Sequence, residues 1–282
     1  MLVDTVRTRL GSALFSRVAG PDGPANRARI HDTPGPRWFA PDSPVRTVHG
    51  DASMFIGGIA ALLLQSLHPL AMAAVAGHSG YKGDPWGRLQ RTSTFLAVTT
   101  FGTEEHAQHA VDQVRAVHAR IRGTAPDGRP YRADDPHLLT WVHTAEAYCF
   151  LGAHQRFGAR PLDEAGCDQY VAEVVRVARA LGADEAPADL PGLRRRLDGY
   201  RPELRATPAA REAGRFLLLT PPLPWAARPA YGVLAANAVG LLPGWARRAL
   251  LLPHVPVVEE TVVRLGGHGM TRAIRWAMRP PG

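Results

Sequence analysis

Cysteine is nearly absent from this chain of 282 residues: only Cys149 and Cys167 occur, with no CxxC spacing. That excludes a disulfide framework and a cysteine-based zinc module, and the expectation is two buried free thiols in a reducing compartment. No HExxH and no pair of ExxH helices occurs, which removes the usual zinc-protease and di-iron carboxylate arrangements. Long apolar runs are missing too. Ala52 to Tyr81 holds no Asp, Glu, Lys or Arg, but Gly57-Gly58, Gln65 and the His68-Pro69 break leave about 14 continuous apolar residues where about 20 are needed to cross a bilayer. Pro229 to Trp245 is also short and carries Asn237, so it suits a buried or interface-dipping helix. The N-terminus has neither the apolar core nor the small-residue cleavage site of a secretory signal, and the expected location is the cytoplasm. There is no internal repeat and no convincing strand run.

What is present reads as helix. With 45% hydrophobic and 21% charged residues, the chain can bury a full core. Its 25 prolines and 28 glycines punctuate apolar periodic segments instead of forming a low-complexity tract. Helical periodicity runs over about 51–67, 84–100, 103–122, 135–157, 162–181, 188–199, 207–219, 224–241, 243–252 and 256–278. Asp51, Thr103 and Asp134-Asp135-Pro136 supply starts whose side-chain oxygens can cap free N–H groups. The loop 123–132 reads as a tight turn between core helices, and Gly182 to Gly192 is the best linker. The fold class is therefore all-α: an N-terminal arm over 1–50 carrying an amphipathic helix, and a single helical domain over 51–282. In the arm, Val3, Val6, Leu10 and Leu14 share a side with Arg7, Arg9 and Arg17 interspersed, which leaves peripheral membrane contact open beside simple packing on the main body. A formal charge of +8 permits weak attraction to anionic partners. No zinc-finger, RNA-binding or DNA-reading motif accompanies it, so no nucleic-acid partner is expected.

The residues that carry chemistry cluster between Asp84 and His143. Arg88 and Thr92, one helical turn apart, point a cation and a hydroxyl the same way. His118 falls in the middle of an apolar stripe formed with Val111, Val114 and Ile121, where an imidazole needs a partner. It is either an iron or metal ligand or a satisfied core histidine. Arg88 can pair with a carboxylate through its planar fork or lie as a solvated charge. Thr92 can donate to a bound group or bond its own backbone. His143 orients a cofactor or is buried against Glu146, and His68, kept out of the α region by Pro69, caps a helix or lines a pocket. His106 and His109 are spaced like metal ligands, but the helical angle to His118 prevents all three from sharing an ion, and they read as surface residues.

Taken in order, His68-Pro69, DPWGRLQRT from Asp84, Phe101-Gly102, VRAVHARIRG around His118, Tyr131, and DPHLLTWVH from Asp135 to His143 resemble the domain of the latex-clearing rubber oxygenases. The same domain is similar to the fungal oxygenase of mycophenolic acid biosynthesis and occurs in many actinobacterial proteins. The resemblance covers roughly residues 50 to 250. It implies a globin-like helical core with one haem b, its iron held by His118, and an arginine and threonine matched by Arg88 and Thr92. A lysine that ligates the distal side in some members is matched by Arg91, which stays protonated and cannot ligate. The family's glutamate, proposed as a base, has no counterpart, since no Asp or Glu lies between Ala52 and Gly83. Polyisoprene cleavage by that route is therefore not expected.

The leading reading is a haem b-dependent oxygenase or related oxidoreductase that meets a small hydrophobic substrate and molecular oxygen or peroxide. Its cofactor site would comprise His118 on the iron with Arg88, Arg91, Thr92, His143 and His68 around it, and Arg88 and Thr92 would act in catalysis. The alternatives are a haem-binding or cofactor-free ligand-binding protein that keeps the fold without the chemistry, and a peripheral membrane protein.

Overall fold

The computed structural model describes residues 2–80 and 83–279, with the side chains of Leu2, Val3 and Val6 outside the described set. Helix makes up 71% of the chain, as an all-α domain requires. In order, α1 is Leu2–Ala19, α2 Gly23–His31, α3 Pro44–His49, α4 Met54–Gln65, α5 Pro69–His78, α6 Pro85–Phe101 and α7 Glu104–His118. A hairpin of β1 (Arg122–Thr124) and β2 (Pro130–Arg132) follows. Then come α8 Pro136–Phe157, α9 Glu164–Leu181, α10 Leu190–Gly199, α11 Pro208–Leu219, α12 Arg228–Leu241, α13 Gly244–Ala249, α14 Pro256–Val258 and α15 Arg264–Met278. A 3-10 turn spans Arg201–Glu203, another Trp225–Ala227, and a π turn Glu259–Val263 leads into α15.

The helix starts follow one chemistry. Asp84, Asp135 and Asp163 each accept a backbone N–H of the first turn through a carboxylate oxygen, from Gly87, His137 and Gly166 at 2.8, 2.9 and 2.8 Å. In α6 and α8 a proline fills the first turn, where its missing N–H costs nothing. At the other end of α9, Gly182 takes φ 103° and closes the helix in the left-handed conformation.

The centre of the molecule is α8, which packs on α3, α4, α5, α9, α10, α12 and α15. Its seam with α4 is the tightest. A Cβ at Gly57 would come to 3.1 Å from the Ala153 Cβ and 3.3 Å from the Cys149 carbonyl, so glycine sets how closely the two axes approach. Ile56, Ala60, Leu63 and Leu64 from α4 meet Trp141, Ala145 and Phe150 from α8, all buried. Across the domain, Asp51 accepts both Nε and Nη2 of Arg275 at 2.8 Å. Burial pushes the Asp51 carboxyl upward, but the Arg275 guanidinium and the Ser53 N–H overcome it and hold the group down to about 2.

Several expectations are corrected. The helix expected to run to 122 stops at His118, and the loop after it is a hairpin pairing Arg122 with Arg132, Gly123 with Tyr131 and Thr124 with Pro130. Gly123 is required there, because a Cβ would overlap the Tyr131 ring. The expected linker is structured: Ala183 and Ala186 are buried with Leu139, Val175 and Ala178, and the Leu190 N–H donates to Asp168 at 2.8 Å. Helices α2, α3 and α5 appear where none was expected, and the 256–278 segment is broken by the π turn. In the N-terminal segment α1 packs on α6 and α15, with Leu14 against the core and Leu10 exposed. Among the described residues no single helix is long and apolar enough to cross a membrane; α4 and α5 together pass that test but meet at a bend of 107°.

Candidate functional site

Helix α6 packs on α1, α2, α3 and α7, and α7 on α6 and α9, whereas α8 has its main contacts elsewhere. Helix α6 accordingly has no fully buried residue before Val98. Partly covered apolar side chains from four helices pack against the core: Phe55 and Ile59 of α4, Val75 of α5, Phe95 and Leu96 of α6, and Val142 of α8.

Several polar groups are strongly shifted by burial. His49 bonds Thr100 Oγ1 through Nδ1 at 2.9 Å and Tyr170 Oη through Nε2 at 3.3 Å. Burial pushes His49 and His143 down to about 4. It pushes Glu146 up to about 7, partly opposed by a hydrogen bond from Gln65. Such shifts belong to fully enclosed groups, yet His49, Gln65, His143 and Glu146 are only half-buried by exposed area. Both observations hold together when the ring nitrogens are enclosed, as His143 Nε2 is buried and both His49 nitrogens are bonded, while the rest of each side chain keeps the exposed area. Tyr170 and Cys149, fully buried nearby, are pushed up as well, by burial first and by the Glu146 charge second.

His118 is the last residue of α7, half-buried, and so ends the apolar stripe instead of occupying its middle. Its Nδ1 is buried with no hydrogen-bond partner. Burial lowers its pKa and the Asp134 carboxylate raises it in part; the net shift is downward and leaves the ring neutral near pH 7. Beside it opens a cleft of about 540 Å³ bordered by Arg115, Asp134, Arg179 and Asp184. His143 on α8 likewise has its Nε2 buried without a partner.

The other expected residues are more dispersed. Arg88 is half-buried and donates to Ser79 Oγ at 2.6 Å, tying the start of α6 to the end of α5. Thr92 is exposed, and so is Arg91, whose Nη1 meets Asp84 Oδ2 at 3.2 Å. His68 is 1% exposed and, as the residue before α5, faces Glu203 Oε2 at 3.4 Å in company with His137 and Trp141. Of the two histidines expected at the surface, His109 is exposed and bonds Gln113, whereas His106 is half-buried with an unpartnered Nδ1.

Sequence reasoning missed His49, Tyr170, His137 and Glu203, and it took Glu146 only as a neighbour of His143. A local signal existed for Glu146, which follows His143 by three residues on a helix with a buried face. None existed for His49 and Tyr170, 121 residues apart.

Residues 46–276 match the family described as ER-bound oxygenase mpaB/B′ and rubber oxygenase, catalytic domain. An uncharacterised protein of Mycobacterium bovis and one of Mycobacterium tuberculosis are each 31% identical to the chain over 154 residues, which cover 52% of this chain and 58% of the relative. The chain thus matches little more than half the length of these curated relatives. No solved structure matches it.

Proposed function

Because the chain belongs to the mpaB and rubber oxygenase catalytic-domain family, we propose that it is a haem b-dependent oxygenase of a small apolar molecule, with His118 as the iron ligand. The observation that carries this reading is the neutral His118 ring at the cleft edge with a buried ring nitrogen that no protein group satisfies. A buried polar atom without a partner costs about 1–3 kcal/mol, and a neutral imidazole is the form that donates to iron. The residues present therefore fit the group.

Haem, when bound, supplies the activation of oxygen or peroxide. The chain supplies the rest. Phe55, Ile59, Phe95, Leu96 and Val142, apolar and only partly covered, would take a hydrophobic substrate. Arg88, at the mouth between α5 and α6, suits a carboxylate of cofactor or substrate. Glu146, with its carboxyl near half-protonation at neutral pH, would hold or move a proton. It comes from α8, whereas the family's glutamate lies on the segment before the arginine and threonine, and this difference favours a smaller substrate than polyisoprene.

The test is an absorption spectrum of protein expressed with added haem. A single Soret band is expected, lost in His118→Ala while the helical circular dichroism remains. An unchanged Soret band in that variant overturns the ligand assignment.

One observation also favours peripheral membrane contact. Leu251, Val257, Val262 and Leu265 are 77, 77, 70 and 71% exposed, and Trp225 is 80% exposed with the Arg228 guanidinium 3.9 Å from its ring. Leu251 also holds φ 57°, a backbone conformation that costs a non-glycine residue about 1–3 kcal/mol. Co-sedimentation with anionic vesicles, reduced in a Trp225→Ser, Leu251→Ser double variant, is expected if this apolar face meets lipid.

A further inference from the structure

We propose that His68, His137 and Glu203 form a solvent-accessible binding site for a divalent transition-metal ion, with zinc as the type ion. The site is separate from the proposed iron ligand on α7 and does not rest on that reading. Three elements converge on it: the residue preceding α5, the second residue of α8, and the 3-10 turn Arg201–Glu203.

One ligand atom from each residue lies within 4.8 Å of the other two. His68 Nε2 is 3.4 Å from Glu203 Oε2, and His137 Nε2 is 2.9 and 3.0 Å from Oε2 and Oε1. Tetrahedral zinc holds nitrogen and oxygen ligands at about 2.0–2.2 Å, which puts ligand atoms about 3.3–3.5 Å apart. The His68–Glu203 spacing already has that value, and the His137–Glu203 spacing needs to open by only a few tenths of an ångström. Two imidazoles and one carboxylate are a donor set used by zinc sites that keep one position for water or substrate.

The surroundings hold the donors and leave that position open. The Tyr200 hydroxyl donates to the His137 carbonyl at 2.8 Å, and the Tyr200 ring stacks 4.7 Å from the imidazole. The Arg205 N–H donates to the Leu67 carbonyl at 2.9 Å, fixing the 3-10 turn against the start of α5. In front lies a cleft of about 620 Å³, bordered by His137, Tyr200 and Glu203 together with Glu185, Arg195 and Arg196. Arg196 pairs with Glu185 at 2.6 Å and Asp189 also lines the cleft, so its charges are mixed.

The outer contacts set the expected affinity. His137 Nδ1 is 3.5 Å from Tyr200 Oη, whereas His68 Nδ1 is buried with no partner. Losing an outer partner costs a metal site about 10–100-fold in affinity, so binding in the micromolar range is expected instead of the tighter values of structural zinc.

The experiment is calorimetric titration of tag-free, full-length protein with Zn²⁺ after dialysis against a chelator, followed by zinc-edge X-ray absorption. One ion per chain is expected, in a shell of nitrogen and oxygen ligands at about 2.0–2.2 Å. His137→Ala and Glu203→Gln change side chains at the surface, and their folding is checked by circular dichroism. Each should lose at least tenfold in zinc affinity, whereas His118→Ala should bind zinc like the parent. Absence of binding in the parent overturns the proposal. So does binding that is unchanged in both variants, or that is lost in His118→Ala.

Discussion

The packed and the polar positions of α8 are built differently. Toward α4, Gly57 brings the backbones together and the space between is filled by Ile56, Leu64, Trp141 and Phe150 at 0–4% exposure. Two polar positions interrupt that packing: His143 and Glu146 are half-exposed and strongly shifted by burial, and Gln65 of α4 hydrogen-bonds Glu146. The packed positions gain stability from dispersion and burial. The polar ones give some of that up to keep a neutral imidazole and a carboxyl in a low-dielectric interior, where their proton affinities move toward values useful in chemistry.

The largest effect should come from breaking the packed side. Trp141 is fully buried, donates its indole N–H to the Gln65 carbonyl at 3.1 Å and packs 5.1 Å from the Tyr200 ring. Trp141→Ala should cost about 3–5 kcal/mol, a large share of the roughly 5–15 kcal/mol available to a domain. Phe95→Ala, at a partly covered position of α6, should cost less than half as much, because part of the ring is already uncovered. Urea denaturation of the two variants measures the contrast, and equal losses would mean that Phe95 is as tightly packed as the seam.

Glu146 gives the next effect, and it depends on pH. Its carboxyl rises from 4.5 to about 7 on folding, so between those values the folded state binds more protons than the unfolded one. Stability from this group is therefore present in acid and falls as pH rises through 7. At 1.36 kcal/mol per pH unit the total is at most about 3 kcal/mol. His49 and His143, lowered from 6.5 to about 4, act oppositely: they hold fewer protons when folded, and their contribution is lost as pH falls from 6.5 toward 4. Glu146→Gln should flatten the alkaline side of the stability profile and leave the acid side in place. A parent-like slope between pH 5 and 8 in the variant would show that Glu146 is hydrated after all.

How much of this was legible depended on range. Helix α8 could be read almost to the residue, because Asp135-Pro136 marks its start and its apolar spacing is strong. Helix α5 could not, since His68-Pro69 reads as a break; the proline that ends one periodic run also fills the first turn of the next helix. The β1–β2 hairpin has strands of three residues, Arg-Gly-Thr and Pro-Tyr-Arg, too short to show alternation. In the site, His118 and His143 were visible as imidazoles on helices with apolar faces. His49 with Tyr170, and His137 with Glu203 66 residues away, are brought together by helix packing, and no spacing in the chain encodes that.

The smallest effect on stability, and the sharpest test of the cleft's mouth, concerns Arg88 and Thr92. They share a helical face, but Thr92 is exposed and Arg88 spends one donor on Ser79. Thr92→Val removes a surface hydroxyl and should change stability by less than about 0.5 kcal/mol. Arg88→Ala releases the link between α6 and the end of α5 and should cost about 1 kcal/mol, the ordinary net contribution of a hydrogen bond. If the mouth receives the carboxylates of a haem, Arg88→Ala should also speed haem transfer to an acceptor such as apomyoglobin, and Arg88→Lys should restore the link without fully restoring retention, since lysine lacks the planar fork. A haem-transfer rate equal to the parent's in both Arg88 variants would assign this arginine to holding α5 against α6 and nothing more.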